Sequence, residues 1–545
     1  MSISLFALAS TLWVFSFGSV PPCTDTYVIE IPQNMTFDQS GSFTVRISSN
    51  NLNDNQTLHV EFPDEFSLSD THGKQDISVN LQNNELTYIR NDSSDKQVSY
   101  SLSELPVGEW SGQMNMSIYL EDSTPSNVLL EGSRLNSVLN GIDPLTVSFI
   151  NSFTYSDNDI DVSAKQDRSL LLHNENRNVT IYPKDSTSII ANRNMSGALR
   201  NLDKLESISG INLLNMDDCE DLSELFIGDV KLTSIGGIDS LDVGNVTNMS
   251  GMFEMCTSIN RLALSNLDTS SCTDMSHMFS HCLNLTTPGS LRNWDLSQCE
   301  NTSHMFYNCS KLKTLGTMAT WDTSNISDMS SMFENCPLLV TTGDISGWDV
   351  SNVESFKAMF RLSSSMRNIG NIGLWDISSK CHDLSEMFSQ TERIISADLD
   401  LTNWNVSNVS DTSFMFYNCF SVVNLNITGW DTDNLYSMAS MFECNDPNND
   451  SSLQSIRGLE DIDTSGLINM NRAFCGAKYL NADLSGWSNN LNSLSDVSYG
   501  FYGALNFDIN KLKDWQLPSL ENKTEAFGNG AGTAISSPIP DWYYD

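Results

Sequence analysis

The stretch WDTSNISDMSSMFENC, Trp321 to Cys336, recurs from the middle of this chain to its end. Near-copies are WDLSQCENTSHMFYNC from Trp294, WDVSNVESFKAMF from Trp348, WNVSNVSDTSFMFYNC from Trp404 and WDTDNLYSMASMFEC from Trp430. Self-similarity at a fixed period decides architecture before any local pattern does, because each unit buries its apolar face against its neighbours.

The Phe of each Met-Phe pair marks the register. Equivalent positions are Leu199, Phe226, Phe253, Phe279, Phe306, Phe333, Phe360, Phe388, Phe416, Phe442, Phe474, Phe501 and Phe527. Most intervals are 26 to 28 residues; one of 32 holds the insertion Asn445 to Leu453, read as a protruding loop. About thirteen turns follow, with degenerate outer ones: Leu225 and Ala526 stand where inner turns have Met. Atypical ends suit turns that shield an open core.

Within one turn, Met329, Met332, Phe333 and Cys336 sit at i, i+3, i+4 and i+7, which predicts a short helix behind the capping residues Ser327 and Asp328. Apolar positions six residues past the Phe (Leu232, Ile259, Leu285, Leu312, Leu339, Ile394), followed by Ile208, Ile235, Leu262, Leu315 and Ile369, predict a short stacked strand. A strand plus a helical turn per repeat is the layout of an α/β leucine-rich-repeat-like solenoid. The W-D-x-S-N-V…D-M-S-x-M-F-x-x-C block, over about 195 to 530, resembles the BspA-like surface repeats, relatives of leucine-rich repeats also found in mycoplasma-type lipoproteins. That resemblance implies export, display on a cell surface, adhesion to proteins or cells, and no shared enzymatic activity.

The chain therefore reads as multidomain. Residues 1–19, apolar and then small, read as a secretory signal peptide although no Lys or Arg precedes Arg46. Residues 24–150 read as an Ig-like β-sandwich, on strands such as Ser42 to Ser49, Thr57 to Phe62 and Met114 to Glu121. Leu105 to Glu121 resembles a strand pair of bacterial surface modules. Residues 151–190 read as a connector or completing strands, 191–530 as the solenoid and 531–545 as a tail.

With 28 basic against 68 acidic residues the formal charge is −40, which disfavours nucleic acid and suits an extracellular, cation-rich setting. Beyond the leader no run is long enough to span a membrane. Cys256, Cys282, Cys309 and Cys336 lie three residues past the register Phe, in a slot that Ala477 and Ala504 also fill. Two readings stand open: a ladder of buried thiols, or disulfides between turns. His277 and His281 are helix-spaced, and His304 repeats the His277 slot, which admits a metal site or an exposed surface position. The Trp column (Trp294, Trp321, Trp348, Trp375, Trp404, Trp430) is core or a stacking platform. Asp295, Asp322, Asp349 and Asp376 beside it are Asx-turn acceptors or calcium ligands. Sequons include Asn34, Asn115, Asn245, Asn325 and Asn522.

No H-E-x-x-H, G-x-S-x-G or phosphate-loop pattern occurs, so the chain reads as a non-enzyme. The expected function is a secreted or cell-surface adhesion protein that contacts an extracellular protein or glycan through the exposed solenoid face. The alternative is a structural surface coat or spacer without a specific ligand.

Overall fold

The computed structural model describes residues 127–185, 188–367, 369–391, 398–445, 452–528 and 539–544, together with the backbone of ten strands between residues 2 and 122. The chain forms two compact units, Met1–Ser126 and Asn127–Asp545.

In the first unit the strands are β1 (Ser2–Ala7), β2 (Leu12–Ser16), β3 (Asp25–Phe37), β4 (Phe43–Ser49), β5 (Gln56–Glu61), β6 (Ser67–His72), β7 (Ile77–Gln82), β8 (Glu85–Arg90), β9 (Lys96–Ser103) and β10 (Gly108–Asp122). They pair antiparallel as two sheets, β2-β1-β4-β9-β6 and β3-β10-β5-β8-β7. The three strand expectations fall on β4, β5 and β10. The expected strand pair between Leu105 and Glu121 is instead the single strand β10, bulged between Trp110 and Gly112 where its pairing to β3 shifts register. The apolar stretch at 1–19, expected to be a secretory leader, supplies β1 and β2, with Ile3 opposite Ile47 of β4.

The second unit starts well before the expected edge of the repeats. Helix α1 (Gly132–Ile142), which the sequence pattern did not announce, buries Leu135 and Leu139 and ends on Asp143 in the left-handed region. Gly132 is required there: a Cβ would stand 2.1 Å from the Ser196 carbonyl oxygen of the first coil. Strands β11 (Thr146–Phe149), β12 (Ile160–Asp161), β13 (Leu170–Glu175), β14 (Asn178–Pro183) and β15 (Ile189–Ile190) follow. β11 lies parallel between β14 and β16 (Ser207–Ser209), and β16 pairs parallel with β18 (Ser234–Ile235), setting Ile208 beside Ile235. β15 pairs with β17 (Leu214–Asn215). Residues 127–190 are thus the N-terminal cap of the coil array, not the end of a sandwich plus a connector. The open apolar end of the first coil needs a cover, and α1 with its sheet supplies it.

Beyond the cap the chain winds in stacked coils. Thirteen residues from Asn194 to Asn522, each five before a register position, join in one parallel bridge ladder. The 32-residue interval is included, with Ser437 bridged to Asn469; residues 446–451 of its insertion lie outside the described residues. Strands β19 (Asp398–Asp400), β20 (Asn424–Asn426) and β21 (Ser455–Arg457) stack Leu399, Leu425 and Ile456 on the expected strand positions. Ile394 lies outside the described residues.

The short helix expected at Met329–Cys336 does not form. The amides of Met329, Ser331, Phe333 and Asn335 donate instead to Ser355, Lys357, Met359 and Arg361 of the next coil, at 2.8–3.2 Å. Between these bonds the backbone turns tightly, with Ser331 and Asn335 both at φ 54°. A helix would spend the same amides within the segment and leave nothing to join the coils. Ser, Asn and Asp, poor in helix interiors and at home in turns, favour this outcome. Left-handed residues recur at the same two slots along the array, as at Ala358 and Leu362 in the next coil.

Side chains follow the backbone. The register phenylalanines stack face to face with centroids 5.3–5.8 Å apart from Phe226 to Phe527. Each such pair is worth about 0.5–1.5 kcal/mol beyond its burial. The Trp column is core: Trp321, Trp348 and Trp375 are buried, and their indole N–H groups donate to Leu291, Met318 and Ile345 carbonyls of the preceding coil at 2.8–2.9 Å. Trp542 takes a further rung, stacked on Trp515 at 6.0 Å and donating to Leu512 O at 2.9 Å, so 539–544 covers the far end instead of trailing as a tail. Replacing Trp375 by Phe keeps the stack but removes one of the two donors to the Ile345 carbonyl, which retains the Trp348 amide at 3.1 Å. Stability to denaturant should fall by about 0.5–1.5 kcal/mol, and an unchanged midpoint would remove the indole bond from the account.

Candidate functional site

Two columns of side chains flank the buried Phe stack and carry the chemistry that changes from coil to coil. Two residues before the register stand His277, His304, Ser331, Ala358, Glu386, Phe414, Ser440, Arg472 and Tyr499. One residue after it stand Ser280, Tyr307, Glu334, Arg361, Ser389, Tyr417, Glu443, Cys475 and Tyr502. The columns touch: His304 meets Tyr307 edge-on at 5.5 Å, Phe414 meets Tyr417 at 5.6 Å, and Tyr499 meets Tyr502 at 5.6 Å. Arg361 bridges Glu334 at 3.2 Å and Glu386 at 3.0 Å. Arg472 binds the buried Glu443 at 2.8 Å and lies 5.3 Å over the Tyr499 ring. Burial pushes the Glu334 carboxyl above its ordinary value even with Arg361 beside it.

Beside these columns runs an open groove of about 590 Å³ along the bridge ladder, lined by Thr273, Asp274, Glu300, Asn301, Ser327, Asp328, Glu354, Ser355 and His382. It crosses successive coils because the lining residues sit five and six before each register position.

The histidines are placed by the coil, not by a helix. His277 and His304, from adjacent coils, stack at 4.6 Å with planes 3° apart, each in the left-handed region. His281 lies apart from that stack, against Ser280 Oγ at 3.0 Å and the edge of Tyr307 at 5.0 Å. The helix that would set His277 and His281 on one face is absent, and His277 stacks on His304 instead. Burial, then the neighbouring His277, holds the His304 imidazole below its ordinary value. Among the described residues no group of three or more His, Cys, Asp or Glu side chains converges to hold a metal.

The Asp column closes turns. Asp295, Asp322 and Asp349 accept the amides of Ser297, Ser324 and Ser351 at 2.9–3.1 Å. The hydroxyl and amide of Ser324 hold the Asp322 carboxyl below its usual range. Asp376 stands at the same slot and enters no metal-holding group among the described residues. Where acids crowd, at Asp433, the Asp431 and Asp463 charges push the carboxyl up. Asn245 and Asn325 have structural roles as well: their amides donate to Asp217 O and Ser297 O of the preceding coil at 2.9 and 2.5 Å. Asn34 and Asn115 lie in strands whose side chains are outside the described residues.

Cys256, Cys282, Cys309 and Cys336 are buried free thiols. Their Sγ atoms lie 3.0–3.1 Å from the Phe226, Phe253, Phe279 and Phe306 carbonyls, as donors to the preceding coil. Ser363 extends the ladder onto Phe333 O at 2.6 Å. The slot thus takes small side chains that either donate or, like Ala477, stay apolar. Sequence reasoning passed over Asp229, which fills the same slot and was legible from the register. It is fully buried; Oδ1 accepts the Leu202 amide at 2.7 Å, Oδ2 has no hydrogen-bond partner among the described residues, and burial pushes the carboxyl up to about 9.

Residues 193–318, 313–421, 344–456 and 424–542 match a family described as a Mycoplasma protein of unknown function, DUF285. The chain belongs to that family. The overlapping matches cover more than half of it and coincide with the coil array, so DUF285 membership and the coil repeat describe the same residues. No curated protein matches the chain.

Burial pushes the Cys282, Cys299 and Cys336 thiols up to about 12. Iodoacetamide at about pH 8 should leave them unmodified in the native DUF285 chain and react with them after unfolding. Alkylation of the folded protein at these positions would overturn the ladder. Asp229 has a folded value of about 9 against roughly 3.9 unfolded, so its contribution to stability is complete below about pH 4 and lost as pH rises toward 9. Asp229→Asn should therefore gain on the wild type by about 1.4 kcal/mol per pH unit across that window, with the two stabilities converging near pH 4. A difference that does not vary with pH would refute the buried neutral carboxyl.

Proposed function

We propose that this DUF285 chain is a secreted or cell-surface binding protein, of the BspA-like kind, that contacts an extracellular protein or glycan through the exposed face of a leucine-rich-repeat-like solenoid. The first unit, read as an Ig-like β-sandwich, precedes that solenoid in the chain. The reading rests on one observation above others: the backbone repeats coil by coil while the column side chains that reach the surface change from His277, His304 and Tyr307 to Glu386, Phe414, Tyr417, Arg472 and Tyr499. A rigid scaffold carrying varied side chains at fixed spacing is how repeat arrays build extended recognition surfaces. Tyr and Arg, which anchor many interfaces, recur in these columns. Catalysis has no part in the proposal.

A structural coat or spacer is the second reading, and the acidic excess favours it. The formal charge of −40 gives solubility and mutual repulsion without any specific partner.

The purified full chain would be screened against extracellular proteins and glycans, with and without calcium. The expected result is saturable binding weakened about tenfold or more by Tyr307→Ala, Phe414→Ala or Arg472→Ala. Binding that appears only with calcium would return the Asp295, Asp322, Asp349 and Asp376 column to consideration. No saturable binding by the folded protein would move the assignment to the coat reading.

A further inference from the structure

The cap carries a constellation that the coil face does not use. Phe153, Tyr155 and Ile160 stand 42%, 41% and 40% exposed in one short stretch. Single exposed apolar side chains are ordinary; several gathered over oriented polar groups are the makings of a ligand site.

Beneath them lies Asp159, only 6% exposed. Its Oδ1 is 2.8 Å from His173 Nδ1, and its Oδ2 accepts the Tyr182 hydroxyl and, at 3.2 Å, the Ser156 amide. Burial opposes ionisation, yet the donations from Tyr182 and His173 hold this carboxyl below its usual range. A charged carboxylate accepts, so His173 Nδ1 carries a proton toward Asp159 and Nε2 is the ring nitrogen left for a ligand. Nε2 has no hydrogen-bond partner among the described residues, and the side chain is 29% exposed.

Phe153 sits against this imidazole. Phe153 is 5.0 Å from the His173 ring and 5.1 Å from Tyr182. Tyr155, fixed by its hydroxyl to Asp157 Oδ1 at 2.6 Å, has Lys184 Nζ 5.1 Å and the Arg168 guanidinium 5.8 Å from its ring centre. Arg168 is in turn held by the Asp159 carbonyl at 3.2 Å. A link that served only to tie the cap strands together would need neither an unpartnered ring nitrogen nor two exposed aromatic side chains in the same stretch.

We propose that this cluster binds the neutral pyranose ring of a glycan. Phe153 and the exposed part of Tyr155 offer apolar surface to the sugar's C–H groups, His173 Nε2 hydrogen-bonds one hydroxyl, and Lys184 and Arg168 donate to others. An anionic sugar fits less well, because Asp157 holds the Tyr155 hydroxyl, Asp161 takes the Arg168 amide and the chain as a whole is strongly acidic. The site lies in the cap and stands apart from the coil-face reading, so either can fail alone.

Isothermal titration of the full chain with oligosaccharides ending in glucose, galactose, mannose or N-acetylglucosamine tests it, with a sialylated oligosaccharide as the charged comparison. Saturable binding to at least one neutral sugar is expected. Phe153→Ala, Tyr155→Ala and His173→Ala should each weaken it about tenfold, while Leu374→Ala, at a 61% exposed position outside both this cluster and the coil-face columns, leaves it unchanged. The first two replace exposed side chains, so an unaltered melting curve separates lost binding from lost folding. The proposal is overturned if the folded protein binds no neutral sugar, binds only the sialylated one, or binds equally well without Phe153 and Tyr155.

Discussion

The coil-to-coil backbone hydrogen bond is the constraint on which the array rests. Every second amide from Met329 to Asn335 donates to the next coil, so each coil must present its carbonyls at the same height and angle as the last. That demand fixes the left-handed residues at Ser331 and Asn335 and at their equivalents. It also explains why the 32-residue interval leaves the ladder intact: extra chain between Phe442 and Phe474 is tolerated so long as Ser437 still meets Asn469.

Parallel stacking in register turns every slot into a column, and a column works only if its polar atoms are satisfied from coil to coil. Trp meets this with an indole N–H aimed at the preceding coil's carbonyl, and Cys meets it with a weakly donating thiol on a Phe carbonyl. Asn325 does the same near the surface. Residue types that look unrelated in composition thus answer one requirement, the pairing of buried donors and acceptors between neighbours.

Stacking like charges at coil spacing is unfavourable, and the chain disperses the cost locally. Asp322 leans on Ser324, Glu334 and Glu386 share Arg361, and Glu443 takes Arg472. Asp229 has no such partner on Oδ2, and it stays protonated to well above neutrality instead.

By itself the sequence determined the repeat, its register and its buried columns, because a fixed period forces equivalent residues into equivalent surroundings. Phe333 was readable as such, whereas for Trp348, Cys336 and Asp322 the sequence left two readings each and the structure chose core, free thiol and Asx turn. Only the tertiary structure decided that Met329–Cys336 is a bridged ribbon and not a helix, since i, i+3, i+4 spacing cannot say whether amides bond within a segment or across to the next coil. It likewise decided that His277 meets His304, that residues 127–190 cap the array, and that Asp159 joins His173 to Tyr182. Those contacts link residues from different strands or coils, and no spacing along the chain encodes which strand lies beside which.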